Sequence, residues 1–359
     1  MSIDMELTKK DTQMAKGIAV LGMVMLHLFC RMDPLPYVPL IWTGDLPLIY
    51  YFGLFGDICV PVFCFCSGYA HYLMADAQKR SYPKRIPGKA LRFVCNYWVV
   101  VVVFSILGLL FDRSGNIPGD WTTFFGNLFI VDMNYNGAWW FVATYLILLV
   151  LSPLLAGLTR RTGCILLLGV SFIVYFASYM FRFNILIHFD SSLLRWLWNQ
   201  AIRFGTSQFP YFVGMVCRKY SCVSWLRSFC KNRPILKYLI IFGLPTAAFL
   251  GHGVVMSLAV APFTAGAVLA ALFLVELPGW AREFFLLLGK HSTNIWLVHM
   301  FFYHRLFVHL AFAAKYPLLI LAFMLALSFG SSVVIEFLYR PICAIIDRKT
   351  TIPAKRDNP

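Results

Sequence analysis

The sequence predicts an all-α polytopic membrane protein of about ten transmembrane helices, and three observations lead there. Of its 359 residues, 60% are apolar, 17% aromatic and only 13% charged. A mean hydropathy of +0.73 leaves little room for a soluble domain. Apolar runs of near-spanning length recur from end to end, and the cations between them are unevenly shared. With the N-terminus inside, only Arg31, Arg113, Arg182, Arg195, Arg203, Arg305 and Lys315 of the 31 Lys and Arg fall on outer segments. That bias is the positive-inside pattern and predicts that both termini are cytoplasmic. It also explains most of the net charge of +15, so nucleic-acid binding loses its main support.

Taken in order, the expected spans are 14–31, 50–75, 92–111, 139–157, 163–181, 202–217, 236–250, 254–275, 285–303 and 317–339. The first is preceded by a segment with acidic as well as basic residues and has no small-x-small cleavage site, so it is expected to remain as a span. A Pro-rich outer loop, 33–40, comes after it. The apolar piece 121–131 is too short to cross and is expected to be re-entrant or interfacial. Gly251-His252-Gly253 divides the seventh and eighth runs and predicts a tight turn between two helices. The expected organisation is a cytoplasmic segment 1–13, one membrane domain 14–340 without appended catalytic domains, and a polar cytoplasmic tail 341–359. Ten cysteines without a CxxC or paired spacing indicate neither a disulfide framework nor a metal site.

The first span carries the sharpest signal. Lys16 and His27 are eleven residues apart, which places them on one helix face about 16 Å apart along the axis. A buried histidine bonded to a neighbouring helix is the plain reading, but polar groups at membrane depth tend to mark a site. A neutral imidazole is also a suitable general base for a hydroxyl. Lys89-x-x-Arg92, expected at a helix start, puts two cations on one face at the membrane boundary, level with Lys16. An ordinary positive-inside loop explains the charge; the pairing also suits a phosphate-rich ligand. His299 lies nine residues above Lys290, at a depth comparable with His27.

Trp139 and Trp140 open the fourth span, where they suit an aromatic belt or, alternatively, glycan stacking. Arg182, His188, Asp190, Arg195 and Arg203 gather around the next outer loop with interleaved Trp residues, a mixture that suits an acceptor site or a solvated loop; Arg195 is the candidate acceptor contact among them. Asp57 is placed to pair with an outer cation or to orient a histidine. His71 is expected at the cytoplasmic interface.

Four separated stretches together resemble the integral-membrane acyltransferase-3 family, which O-acylates surface glycans. They are Lys16-x10-His27, the run from Asp57 to Ser67-Gly68-Tyr69, Lys89-x-x-Arg92, and Leu288-Gly-Lys-His-Ser-Thr-Asn-Ile-Trp-Leu-Val-His299. Lys stands twice where the family more often has Arg, which keeps charge but loses the planar fork; His291 replaces a usual Asn. The resemblance runs from residue 14 to 340. It implies that acyl-CoA, most simply acetyl-CoA, enters from the cytoplasm as co-substrate, with no cofactor held by the protein. Its phosphates would sit among Lys16, Lys89 and Arg92, and the thioester near His27, with His27 acting as base or acyl relay and His299 as a second catalytic candidate.

The acceptor implied is a glycan or lipid-linked saccharide at a bacterial inner membrane, with polysaccharide-assembly proteins as candidate partners besides membrane lipids. The principal rival is a glycolipid or amphiphile transporter or flippase, against which the lack of an internal repeat counts mildly. A glycosyltransferase is less suited, because no DxD pair is present, and a sensor without chemistry completes the alternatives.

Overall fold

The computed structural model describes residues 6–30, 36–112 and 114–350. Arg31, Arg113, the start of the Pro-rich 33–40 stretch and residues 351–359 of the expected tail lie outside the described residues.

Helix α1, Lys9–Phe29, begins where the sequence supplies a capping box: Thr8 Oγ1 accepts from the Asp11 N–H at 3.1 Å, and Asp11 Oδ2 accepts from the Thr8 N–H at 2.9 Å. A two-residue hairpin, β1 Trp42–Thr43 with β2 Leu46–Pro47, leads into α2, Leu48–Phe55. A 3₁₀ turn at Gly56–Ile58 then offsets α2 from α3, Cys59–Gln78. After these come α4 Tyr82–Phe111, the short α5 Trp121–Leu128, α6 Trp140–Arg161, α7 Cys164–Phe183, α8 Ser192–Lys219 and the short α9 Cys222–Cys230. The chain continues as α10 Pro234–Tyr238, a π turn Leu239–Gly243, α11 Leu244–Val255 and α12 Ala261–Leu272. It closes with α13 Gly279–Met300, a second π turn Phe301–Arg305, α14 Val308–Phe312 and α15 Pro317–Thr350.

Among the described residues, seven segments are long and apolar enough to cross a membrane: Lys9–Phe29, Leu48–Gln78, Tyr82–Phe111, Gly137–Arg161, Cys164–Phe183, Pro234–Val255 and Pro317–Asp347. The other three expected spans also fall on helices. Two of them, α8 and α13, have the length but carry more polar residues, and α12 is short. The expected non-crossing piece 121–131 forms the eight-residue α5, whose Trp121 and Phe125 are exposed, as is Phe129 just beyond it.

Glycines set two close helix contacts. A Cβ on Gly17 of α1 would collide with the Phe285 carbonyl of α13, and one on Gly289 of α13 with the Gln13 carbonyl of α1. Between α3 and α8, Gly68 and Gly214 do the same against the Tyr211 and Phe65 carbonyls. Reciprocal small residues let the backbones approach, the device by which helices pack where no hydrophobic difference drives them together.

Four expectations need correction. Gly251-His252-Gly253 is helical, and α11 runs on to Val255; the chain turns at Met256, which adopts φ +47°, and Ser257 caps the next 3₁₀ turn. Two glycines do not break a helix whose neighbours hold it, and Gly253 packs on the Tyr51 ring. Lys89 and Arg92 are not at a helix start, because α4 begins at Tyr82 with Pro83 in its first turn, where a missing N–H costs nothing. His71 is buried rather than interfacial, its Nδ1 2.8 Å from the Tyr211 hydroxyl. The last helix passes through Pro341 to Thr350, well beyond the expected end of the span.

Candidate active site

His27 sits in the last turn of α1 and His299 in the last turn of α13. The glycine-paired approach of these helices brings them together, with His27 Nδ1 2.7 Å from His299 Nε2. His299 Nδ1 is 2.8 Å from the Trp296 carbonyl. A carbonyl only accepts, so His299 Nδ1 carries the proton and its Nε2 offers a lone pair. His27 must therefore donate from Nδ1, which leaves its Nε2 unprotonated. Hydrogen bonding alone thus orders the pair with a basic nitrogen on His27.

Local backbone irregularity supports this arrangement. At the π turn after α13, the Phe301 N–H turns to the His299 and Val298 carbonyls. The Leu297 carbonyl, freed from its helical partner, accepts instead from Asn136 Nδ2 and Trp139 Nε1, each at 2.9 Å. Trp296 Nε1 in turn donates to the Ala138 carbonyl at 3.1 Å. The start of α6 is thereby stitched to the end of α13 beside His299. Trp139 is fully buried in this seam. Its expected roles in an aromatic belt or against a glycan are therefore corrected: it is a core residue, because only from the core can its indole N–H reach the freed carbonyl.

His27 lines a cavity of about 300 Å³. Lys16, Ser67 and Thr293 lie on its wall at one end, and Trp140, Tyr175, Tyr179 and Arg182 at the other. Of the three cations expected to hold phosphates, Lys16 alone lines it. Lys89 points its ammonium at Met74 Sδ, 2.9 Å away, and over the Tyr82 ring at 5.3 Å. Lys16 and Lys89 both act electrostatically on His71. Arg92 forms an ion pair with Asp347 of α15. The expected trio is therefore spread over the Lys16 end of the bundle, and Arg92 already has a carboxylate partner.

At the other end, Trp140 lines the cavity and carries the Arg182 guanidinium over its ring at 4.2 Å. Arg195 is exposed, donates to the Phe189 carbonyl at 3.0 Å and is absent from the cavity wall. Of the cationic cluster seen in the sequence, Arg182 is the member that reaches the cavity.

Asp57, which the 3₁₀ turn between α2 and α3 brings to the cavity wall, accepts a 2.8 Å hydrogen bond from His252 Nε2 of α11. Both side chains are buried. Of the two expected roles for Asp57, orienting a histidine is the one realised. The histidine itself escaped sequence reading because it stands in an apparent glycine turn. Asn96 and Asn294 also join α4 to α13 at 2.7 Å, and no sequence signal links them.

A family model described as an acyltransferase domain, that of acyltransferase-3, matches residues 12–337. The chain belongs to the acyltransferase-3 family. The match takes in every helix that lines the His27 cavity. This acyltransferase-3 protein is thus a multi-pass membrane acyltransferase acting on groups other than aminoacyl. No match was found among curated proteins or among solved structures.

Proposed function

We propose that this protein moves an acyl group, acetyl in the simplest case, from cytoplasmic acyl-CoA to a hydroxyl of an exported or surface glycan, in a bacterial inner membrane. The observation that carries the reading is the His27–His299 pair, which leaves a basic Nε2 on a residue lining a cavity that also contains Lys16.

In this mechanism the phosphates of acyl-CoA are held at the Lys16 end, with Lys89 and Arg92 nearby, and the thioester arm rises about 16 Å along α1 to His27. His27 Nε2 removes the proton from the acceptor hydroxyl as its oxygen attacks the thioester carbonyl. The C–O bond forms, the C–S bond breaks, and the leaving thiolate takes the proton back from His27. While His27 is an imidazolium, its Nδ1–H still donates to His299, now as a charge-assisted bond, so the pair needs no rearrangement. A relay through an acyl-histidine uses the same nitrogen. Radiolabelled acetyl-CoA without acceptor separates the two routes, since only the relay leaves label on His27.

The decisive assay uses purified full-length protein, radiolabelled acetyl-CoA and a saccharide acceptor. Transfer should occur and should fall by about 10²–10⁴-fold in His27→Ala. Undiminished transfer by that variant overturns the role of His27. Movement of a labelled glycolipid across the membrane without acyl-CoA would favour a transporter instead.

A further inference from the structure

Arg182 and Arg203 have no carboxylate partner among the described residues, yet both are half-buried, and the Arg203 charge bears on Arg182. Arg182 has the Trp140 and Phe183 ring faces, at 4.2 and 5.0 Å, and the Thr206 hydroxyl at 3.3 Å. Among the described residues, the Arg203 guanidinium has the Met133 sulfur, at 3.7 Å, as its hydrogen-bond contact. Two like charges sheltered from water and lacking a counter-charge are costly, and an anion between them removes that cost.

The space for such an anion is present. Arg182 and Arg203 line a second cavity of about 340 Å³, together with Trp140, Trp198 and Asn199. It shares Trp140, Arg182 and Phe183 with the His27 cavity, so Arg182 stands in the wall between them. Planar guanidinium forks match carboxylate and phosphate geometry, and indole faces suit the apolar face of a sugar ring.

We propose that Arg182 and Arg203 bind an anionic group of the acceptor, a carboxylate or a phosphate, making the acceptor an acidic or phosphate-linked saccharide. This rests on the acyl-transfer reading and names the acceptor class for it. A ligand held there has its ring against Trp140 and its next hydroxyls directed into the cavity of His27. A phospholipid headgroup offers the same phosphate, so the test separates the sources.

The probes are glucuronate, glucose 1-phosphate and glucose, titrated by calorimetry onto the full-length protein in phosphatidylcholine nanodiscs without acyl-CoA. At least one anionic probe should bind about tenfold or more tighter than glucose, as charge-assisted hydrogen bonds predict. That advantage should vanish in Arg203→Gln and return in part in Arg203→Lys, with thermal unfolding showing both variants folded. Glucuronate as the tighter ligand identifies an acidic sugar, and glucose 1-phosphate a phosphate-linked one. Equal binding of all three probes overturns the proposal, as does full anion binding by a folded Arg203→Gln or Arg182→Lys/Arg203→Gln protein. Loss of the advantage when phosphatidylglycerol is added to the nanodiscs assigns the site to lipid and overturns the acceptor role. Anion binding without any acyl transfer sinks the transfer reading alone, whereas transfer to neutral glycans without anion binding sinks this one.

Discussion

The direction of proton flow through His27 depends on a single carbonyl. Because the Trp296 oxygen can only accept, the protons of both imidazoles are ordered, and His299 acts on His27 without touching the cavity. His299→Ala removes the acceptor for His27 Nδ1–H and frees the ring to turn or change tautomer. Its kcat should fall by about 10²-fold or more, as when a catalytic histidine loses its orienting partner. His299→Gln, whose carbonyl oxygen accepts in the same place, should recover part of that loss; equal kcat in Ala and Gln variants would show that His299 only fills space. Asp57 and His252 offer a second test at this scale. Asp57→Ala strands a buried imidazole N–H and should lower stability by about 1–3 kcal/mol, with the double variant Asp57→Ala/His252→Ala less impaired than additivity requires. Simple additivity in thermal unfolding would mean that the 2.8 Å contact contributes nothing.

At the scale of helices, the site is as well defined as the contact between α1 and α13. Gly17→Val and Gly289→Val each insert atoms where the opposing backbone already lies, so stability should fall by about 1–3 kcal/mol or more, and transfer should fall with it as His27 leaves His299. Unchanged unfolding and activity in either variant would contradict the close approach. Lys16 and His27 are readable in the sequence because each is a polar side chain on an otherwise apolar helix, at a spacing that helical geometry converts directly to a shared face. His299 is readable for the same reason. The pairing of Arg92 with Asp347 is not, since it joins helices far apart in the chain and both residues look like ordinary boundary charges. Nor is the burial of Trp139 legible: it depends on a carbonyl that only a π turn sets free. His252 is hidden by its two glycine neighbours, whose turn-forming tendency tertiary packing overrides.

Across the molecule, one cavity reaches from Lys16 past His27 to Arg182, so the two cationic ends and the reacting nitrogen belong to a single connected space. The segment before α1 is fastened to the Lys16 end. Glu6 accepts from Ser224 Oγ at 2.6 Å and from the Tyr69 hydroxyl, with Arg218 4.0 Å away. Burial pushes the Glu6 carboxyl up, but the hydrogen bonds from Ser224 and Tyr69 and the Arg218 charge outweigh it, holding it below its ordinary 4.5. A depressed carboxylate stabilises the fold at pH above the ordinary value, and that contribution is lost as pH falls through the folded value. The Tm difference between native protein and Glu6→Gln should therefore be present at neutral pH and shrink below pH 4.5. A difference that stays constant on acidification would exclude an ionised Glu6 as the fastening group.

The contact between α1 and α13 also differs in kind from what joins the opposite side of the cavity. Backbones that meet at Gly17 and Gly289 leave no room between them for a Cβ. Across the cavity, side-chain hydroxyls make the join: Tyr179 meets Ser257 Oγ at 2.8 Å, and Tyr175 donates to the Ala259 carbonyl at 2.8 Å. The histidine pair is thus held by main-chain contact, and the wall that carries Tyr175 and Tyr179 by hydroxyls.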